Sequence, residues 1–159
     1  MRLAHCIFWC SALALLCGCG LDQRRVYDLS IDNRSPRDLT VGLVKNGPPF
    51  EPAWAAPEDI AMSDPDPASV TWGYHVKPGS VGHLSIEGNF ASNTNAVLRI
   101  YVGRQSLGDL LAMRHDDPDR IFKLVPPGRR TIIVTQGDDG ILHLKGVRPA
   151  VTPPDTMQP

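Results

Sequence analysis

Downstream of residue 19 the sequence contains no cysteine. All four cysteines of the 159-residue chain, Cys6, Cys10, Cys17 and Cys19, lie within the first twenty residues. The region after Cys19 can therefore form no internal disulfide, no thiolate metal site and no cysteine nucleophile. A domain built from this region must be stabilised by its hydrophobic core alone.

An excess of charge of either sign is also absent. The chain has 16 Lys and Arg residues against 17 Asp and Glu residues, a net charge of −1 at pH 7. Nucleic-acid-binding domains usually carry a basic excess, so this balance argues against a nucleic-acid partner. Long apolar runs are scarce as well. The main one, from Cys6 to Leu16, is shorter than the roughly 20 residues that a transmembrane helix needs.

Sequence motifs of catalysis are missing too. The chain has no Gly-x-Ser-x-Gly elbow, no phosphate-binding glycine loop and no zinc motif. Only His115 has acidic neighbours, and their spacing is not that of a calcium loop. We therefore predict that the protein is not an enzyme and has neither a cofactor nor a metal site. A small hydrolase or a metal-dependent enzyme is the less favoured alternative.

What is present at the start is the pattern of an export signal. Arg2 precedes the apolar run, and the small residue Gly18 follows it. The sequence Leu16-Cys17-Gly18-Cys19 resembles the lipobox of bacterial lipoproteins, in which Leu, a variable residue and Gly or Ala precede an obligatory Cys. The resemblance implies a type II signal peptide cleaved between Gly18 and Cys19. It further implies fatty acyl chains, such as palmitate, attached at Cys19.

This resemblance assigns a location. The lipid bilayer is the first partner it implies, through the acylated N-terminus in the bacterial cell envelope. Cys17 is a rival acylation site, but Leu16 rather than a small residue precedes it. Gly20, where enteric inner-membrane lipoproteins have Asp, favours the outer membrane. The alternatives are an ordinary secretory signal with incidental cysteines and an uncleaved anchor.

The rest of the chain is rich in short strands and turns. Residues 26–32 and 39–44 alternate apolar and polar side chains, and we expect them to form an antiparallel hairpin. The other predicted strands are 70–76, 81–87, 96–102, 121–125, 131–136 and 141–147. Seven or eight such strands with turn residues between them predict an all-β, antiparallel, immunoglobulin-like sandwich.

Residues 122–128, followed by the strand at 131–134, resemble a strand edge of transthyretin-like modules, which also implies a β-sandwich. The predicted organisation is a signal peptide at 1–18 and a lipidated tether at 19–25. A β-sandwich at 26–148 and a disordered, proline-rich tail at 149–159 follow. Ser106 and Asp109 have the spacing of a capping box, which favours one or two helical turns at 106–113 over a strand. Residues 55–62 are a second candidate helix.

The segment from 46 to 67 is the best candidate for a binding loop. It contains six prolines and five acidic residues, and a connection of this length in a small domain is often functional. Its candidate contact residues are Phe50, Trp54, Glu58 and Asp59. The alternatives are a structured but inert connection and a disordered one. We also expect Trp54 to pin this segment to the core and Trp72 and Tyr74 to face inward.

We therefore predict a non-catalytic binding or structural module with an envelope protein or glycan as its partner. Stacked exposed aromatic rings would instead favour a module that binds carbohydrate or peptidoglycan.

Overall fold

The computed structural model describes residues 23–63 and 70–147. The predictions for the signal peptide, for Cys19 and for the tail at 149–159 lie outside these ranges. The described residues form eight strands, two α-helices and one 3₁₀ turn. The strands are β1 (Gln23–Asn33), β2 (Leu39–Asn46), β3 (Tyr74–Val76), β4 (Val81–Phe90), β5 (Asn95–Val102), β6 (Arg120–Val125), β7 (Gly128–Gln136) and β8 (Leu142–Val147). The helices are α1 (Pro57–Ser63) and α2 (Leu107–Ala112), and the 3₁₀ turn is Pro52–Trp54.

The strands form two four-stranded sheets that pack face to face. One sheet has the order β4-β1-β7-β8 and the other β3-β2-β5-β6. All neighbouring strands are antiparallel except β1 and β7, which run parallel. The predicted all-β sandwich is confirmed. Immunoglobulin constant domains place their first two strands in one sheet, whereas β1 and β2 lie in opposite sheets here.

The predicted hairpin between the first two strands is therefore wrong. The chain crosses from one sheet to the other between Asn33 and Leu39, and Asn33 holds the crossing. Its buried side chain donates hydrogen bonds to the carbonyl oxygens of Arg37 and Val76, at 2.8 and 3.1 Å. Alternating hydrophobicity identifies the face of a strand that is buried, but it does not identify the strand beside it.

The main core fills the space between the sheets. Its largest fully buried side chains include Tyr27, Leu29, Ile31, Leu39, Phe90, Leu98 and Ile100. A second apolar cluster lies on the other face of the β2–β5 sheet, beneath the helices. It contains Val44, Ala56, Trp72, Tyr101, Leu107 and Leu110. Strand β2 is consequently buried on both faces, as its uninterrupted burial from Leu39 to Val44 shows.

The second cluster changes the interpretation of residues 70–76. Only Tyr74–Val76 are in a strand, because Gly73 has a φ of +75° and breaks the extended run. Trp72 is buried, as predicted, but it packs against Gly42 and Tyr101 outside the sandwich interior. Tyr74 is 58% exposed, so its predicted place in the core is wrong.

The two predicted helices are both present. In α2, the Ser106 hydroxyl accepts a hydrogen bond from the Asp109 amide, and the Asp109 carboxylate accepts one from the Ser106 amide. This reciprocal pair is the predicted capping box and resolves the segment as helix rather than strand. Helices α1 and α2 contact each other over the second cluster.

Candidate binding groove

The predicted loop forms one wall of an open apolar groove beside the sandwich. The groove has a volume of about 540 Å³. Three of the four predicted contact residues, Phe50, Trp54 and Asp59, line it, and Glu58 does not. The remaining lining residues are Lys45, Glu51, Pro52, Ala55, Ile60 and Ser63.

Trp54 forms the floor of the groove and fixes the loop to the sandwich. Its side chain is 2% exposed and meets the rings of Tyr27 and Phe90 edge-on, with centroids 5.3 and 5.1 Å away. Its Nε1 donates a hydrogen bond to the Glu87 carbonyl oxygen at 3.1 Å. The interpretation that Trp54 pins the loop to the core is confirmed. The floor of the groove is therefore rigid.

An ion pair that the sequence analysis missed supports the same loop. Lys45 is the last inward-facing position of β2, and its side chain is 2% exposed. The ammonium group donates to the Glu51 carboxylate and to the carbonyl oxygens of Pro49 and Asn89, each of these two at 2.8 Å. The hydrogen bond from Lys45, together with one from the Asn89 amide, lowers the pKa of Glu51.

A signal for Lys45 was present in the sequence. The alternation that places Leu39, Val41 and Leu43 in the core continues to position 45. A lysine in that register must find acceptors for its buried charge. No comparable pattern marks Glu51, because its position depends on how the loop folds back onto β4.

Phe50 lines the groove on its solvent-exposed side. It is 81% exposed, the highest value for an aromatic residue among those described. Asp59, in contrast, has a structural role, since its Oδ2 accepts a hydrogen bond from the Ala56 amide at 2.9 Å. That contact satisfies a backbone donor at the start of α1.

Glu58 points away from the groove and fastens α1 to the sheet. Its carboxylate pairs with Arg99 on β5 at 2.7 Å. Burial opposes ionisation of Glu58, but hydrogen bonds from its own amide and from Arg99 lower its pKa overall. The guanidinium of Arg99 also lies 4.8 Å from the Phe122 ring centroid. Glu58 therefore fixes α1, which borders the groove, but the Glu58 side chain does not line the groove.

A second, smaller cleft of about 370 Å³ adjoins this groove. Pro52, Ala55 and Ile60 line both openings. The cleft runs beside β4, which is an edge strand, and continues to Trp72 and the exposed Tyr74. Together the two openings form one extended, mainly apolar surface.

Other features that could support sugar binding, catalysis or metal binding are weaker than the groove. Within residues 23–63 and 70–147, the close aromatic pairs meet edge-on or tilted, and no exposed coplanar pair occurs. The Ser30 hydroxyl lies 3.1 Å from Nδ1 of His83, on an exposed sheet face. No group of three or more His, Cys, Asp or Glu side chains in the described residues could hold a metal ion. No helix in the described parts is long and apolar enough to cross a membrane.

Comparisons of the chain with protein-family models, with curated proteins and with solved structures found no match.

Proposed function

We propose that this chain is the precursor of a lipid-anchored lipoprotein of the bacterial envelope, with the outer membrane as its destination. In this proposal, the sandwich is a non-catalytic module that binds an envelope protein through the groove at residues 45–63. The observation that carries the binding proposal is the apolar groove whose floor, formed by the buried Trp54, is fixed.

The construction of the groove supports binding. Trp54, Lys45 and Glu51 hold the loop in place before any partner arrives, so little conformational entropy is lost on association. A mainly apolar surface with a few fixed polar groups is typical of binding sites. Loops on a rigid sandwich commonly carry recognition.

The lipobox supports the anchoring. Two acyl chains on one residue are sufficient for stable membrane attachment, since each buried methylene contributes about 0.8 kcal/mol. The Cys19→Ala variant tests this proposal. We expect it to keep the uncleaved precursor mass and to be lost from the outer-membrane fraction. Unchanged fractionation and unchanged mature mass would contradict the anchoring proposal.

Photo-crosslinking in intact cells tests the groove. A benzoylphenylalanine at the exposed groove position Ser63 should form an adduct with a protein of the envelope, and one at Thr135 on β7 should not. Adding Ala55→Tyr, which fills the groove without adding charge, should abolish the Ser63 adduct. An adduct that survives Ala55→Tyr in a folded variant, or equal adducts at both positions, would count against binding in the groove.

A further inference from the structure

One end of the sandwich carries both the start of β1 and the loop with Phe50. Strands β5 and β7 also begin at this end, while β2, β4 and β6 finish there, as their pairing registers require. We call it the proximal end. It comprises Gln23–Arg25, the loop 47–50, the loop 91–94 and the turn 126–128.

Hydrogen bonds join these parts to one another. Arg25 Nη1 donates to the Thr94 carbonyl oxygen at 2.9 Å, and the Thr94 hydroxyl donates to the Pro48 carbonyl oxygen at 2.9 Å. Lys45 binds the next carbonyl oxygen, that of Pro49. The loop that presents Phe50 is therefore fixed beside the first residues of β1.

The distance from the lipidation site to this end is short. Three residues separate Cys19 from Gln23. Four peptide steps span at most roughly 14 Å even when fully extended. Acyl chains on Cys19 would thus keep the proximal end within about 14 Å of the membrane surface.

The chemistry of the proximal end suits a phospholipid surface. Phe50 is an exposed aromatic side chain, and Phe is among the apolar residues that membrane-surface segments bury at the boundary of headgroups and acyl chains. Pro48 and Pro49 before it have no backbone N–H, so the loop has fewer donors to lose on entering that region.

The positive charges near this end also suit a phospholipid surface. Arg25 donates to the neutral carbonyl oxygen of Thr94, and Arg130, on β7 above this end, reaches down to donate to the neutral carbonyl oxygen of Pro126, so neither contact is an ion pair. Such charges are attracted to anionic phospholipids. We propose that the proximal end is a second membrane contact, in which Phe50 enters the headgroup region of the bilayer that holds the acyl anchor. This inference rests on the proposed lipidation of Cys19.

The test uses the mature, acylated protein in vesicles of phosphatidylethanolamine and phosphatidylglycerol at 3:1. Because Cys19 is consumed by its thioether, Phe50→Cys provides a single free thiol for a nitroxide label. Ile141→Cys is the matched control, since Ile141 is apolar, 52% exposed and located at the opposite end, in the β7–β8 turn.

Collisions of the label with oxygen and with a water-soluble nickel chelate report its depth. We expect the ratio of oxygen to nickel collisions to be several-fold higher at position 50 than at position 141. Equal, water-like ratios at both positions would overturn the membrane contact. Reduced access of both reagents at position 50 would indicate a protein contact, for example with a second copy, and would also overturn it.

The mass of the same protein sample distinguishes a failure of the proposed acyl anchor from a failure of the proposed second membrane contact. An acylated chain with a water-exposed label at position 50 leaves the anchor standing and removes the second contact. A chain without acyl groups contradicts the anchor, and the inference that depends on it fails as well.

Discussion

Lys45 shows how a single residue can determine the shape of the groove. Its position in β2 places an ammonium group behind the loop, where burial without acceptors would be costly. The Glu51 carboxylate, two carbonyl oxygens and the Phe90 ring, 4.8 Å away, surround that charge. The loop folds back onto β4 because it supplies two of these partners, the Glu51 carboxylate and the Pro49 carbonyl oxygen, and β4 supplies the other two.

Replacing Lys45 with an uncharged residue should weaken the attachment of the loop to β4. We expect Lys45→Met to lower the free energy of unfolding by about 2 kcal/mol, because it leaves the partly exposed Glu51 carboxylate without its partner. Glu51→Gln, which keeps an acceptor for the ammonium group, should cost about half as much. Urea unfolding measures both. A Lys45→Met protein as stable as the unmodified chain would contradict this account.

The Lys45–Glu51 ion pair should make the free energy of unfolding depend on pH. The folded-state pKa of Glu51 is lowered, so its contribution is fully present above the unfolded-state value of about 4.3. The contribution is then lost as the pH falls through the lower, folded-state value. We expect Lys45→Met to lose less stability than the unmodified protein between pH 6 and acidic pH. Parallel stability–pH curves for the two proteins would show that Lys45 does not set this pKa.

Gly88 permits the close packing of the loop on β4. A Cβ at this position would collide with Trp54 Nε1 and with the Glu51 carboxylate. Gly88→Ala should therefore displace the loop and cost about 2 kcal/mol. Gly108→Ala is the control, since a Cβ there meets only the Ser106 hydroxyl at 3.8 Å and a helical alanine should stabilise by about 0.5–1 kcal/mol. Equal effects of both substitutions on thermal unfolding would argue against the close approach.

Among the elements, α2 depends most clearly on its own sequence. The helix has only six residues, so it needs both its cap and its apolar contacts, Leu107 and Leu110, with the second cluster. The hydrogen bonds from Ser106 lower the pKa of the Asp109 carboxyl. The cap is consequently complete at neutral pH, when that carboxylate is ionised.

Removing the cap tests this dependence. Ser106→Ala should destabilise the protein by about 1 kcal/mol, whereas Ser106→Thr, which keeps the hydroxyl, should cost only a few tenths. Amide hydrogen exchange in α2 should accelerate in the alanine variant and not in the threonine variant. Unchanged exchange in Ser106→Ala would show that packing alone determines the helix.

At the scale of the whole molecule, β1 joins the two halves of its sheet. It pairs with β4 along ten residues and with β7 along seven. The strand begins at Gln23, three residues before the predicted start of the domain at 26. Arg24 and Arg25, which the sequence assigned to a tether, belong to the sheet, and Arg25 lies 5.2 Å from the Phe90 ring centroid.

The start of the domain can be tested by truncation. A chain that begins at Val26 should be about 2 kcal/mol less stable than one that begins at Gln23, because it lacks three positions of the β1–β4 ladder and the Arg25 bond to Thr94. Urea unfolding with equal m values compares the two. Equal free energies of unfolding would show that residues 23–25 do not stabilise the sheet and belong with the tether.

The sequence by itself determined the local features of this protein. Period-two alternation identified the strands, and the Ser106–Asp109 spacing identified a capped helix. These features depend on residues that are close in the chain, so they can be predicted locally. The sequence also identified the loop that lines the groove and three of its lining residues, Phe50, Trp54 and Asp59, but not Lys45 or Glu51.

Only the tertiary structure decided which strands are neighbours and how the loop is held. The separation of β1 from β2, the parallel β1–β7 pair and the partners of Lys45 all join residues that are distant along the chain or held by the fold of a loop. The same alternating pattern would satisfy several pairings. The second apolar layer buries Trp72 and leaves Tyr74 exposed, because the helices cover one face of the β2–β5 sheet.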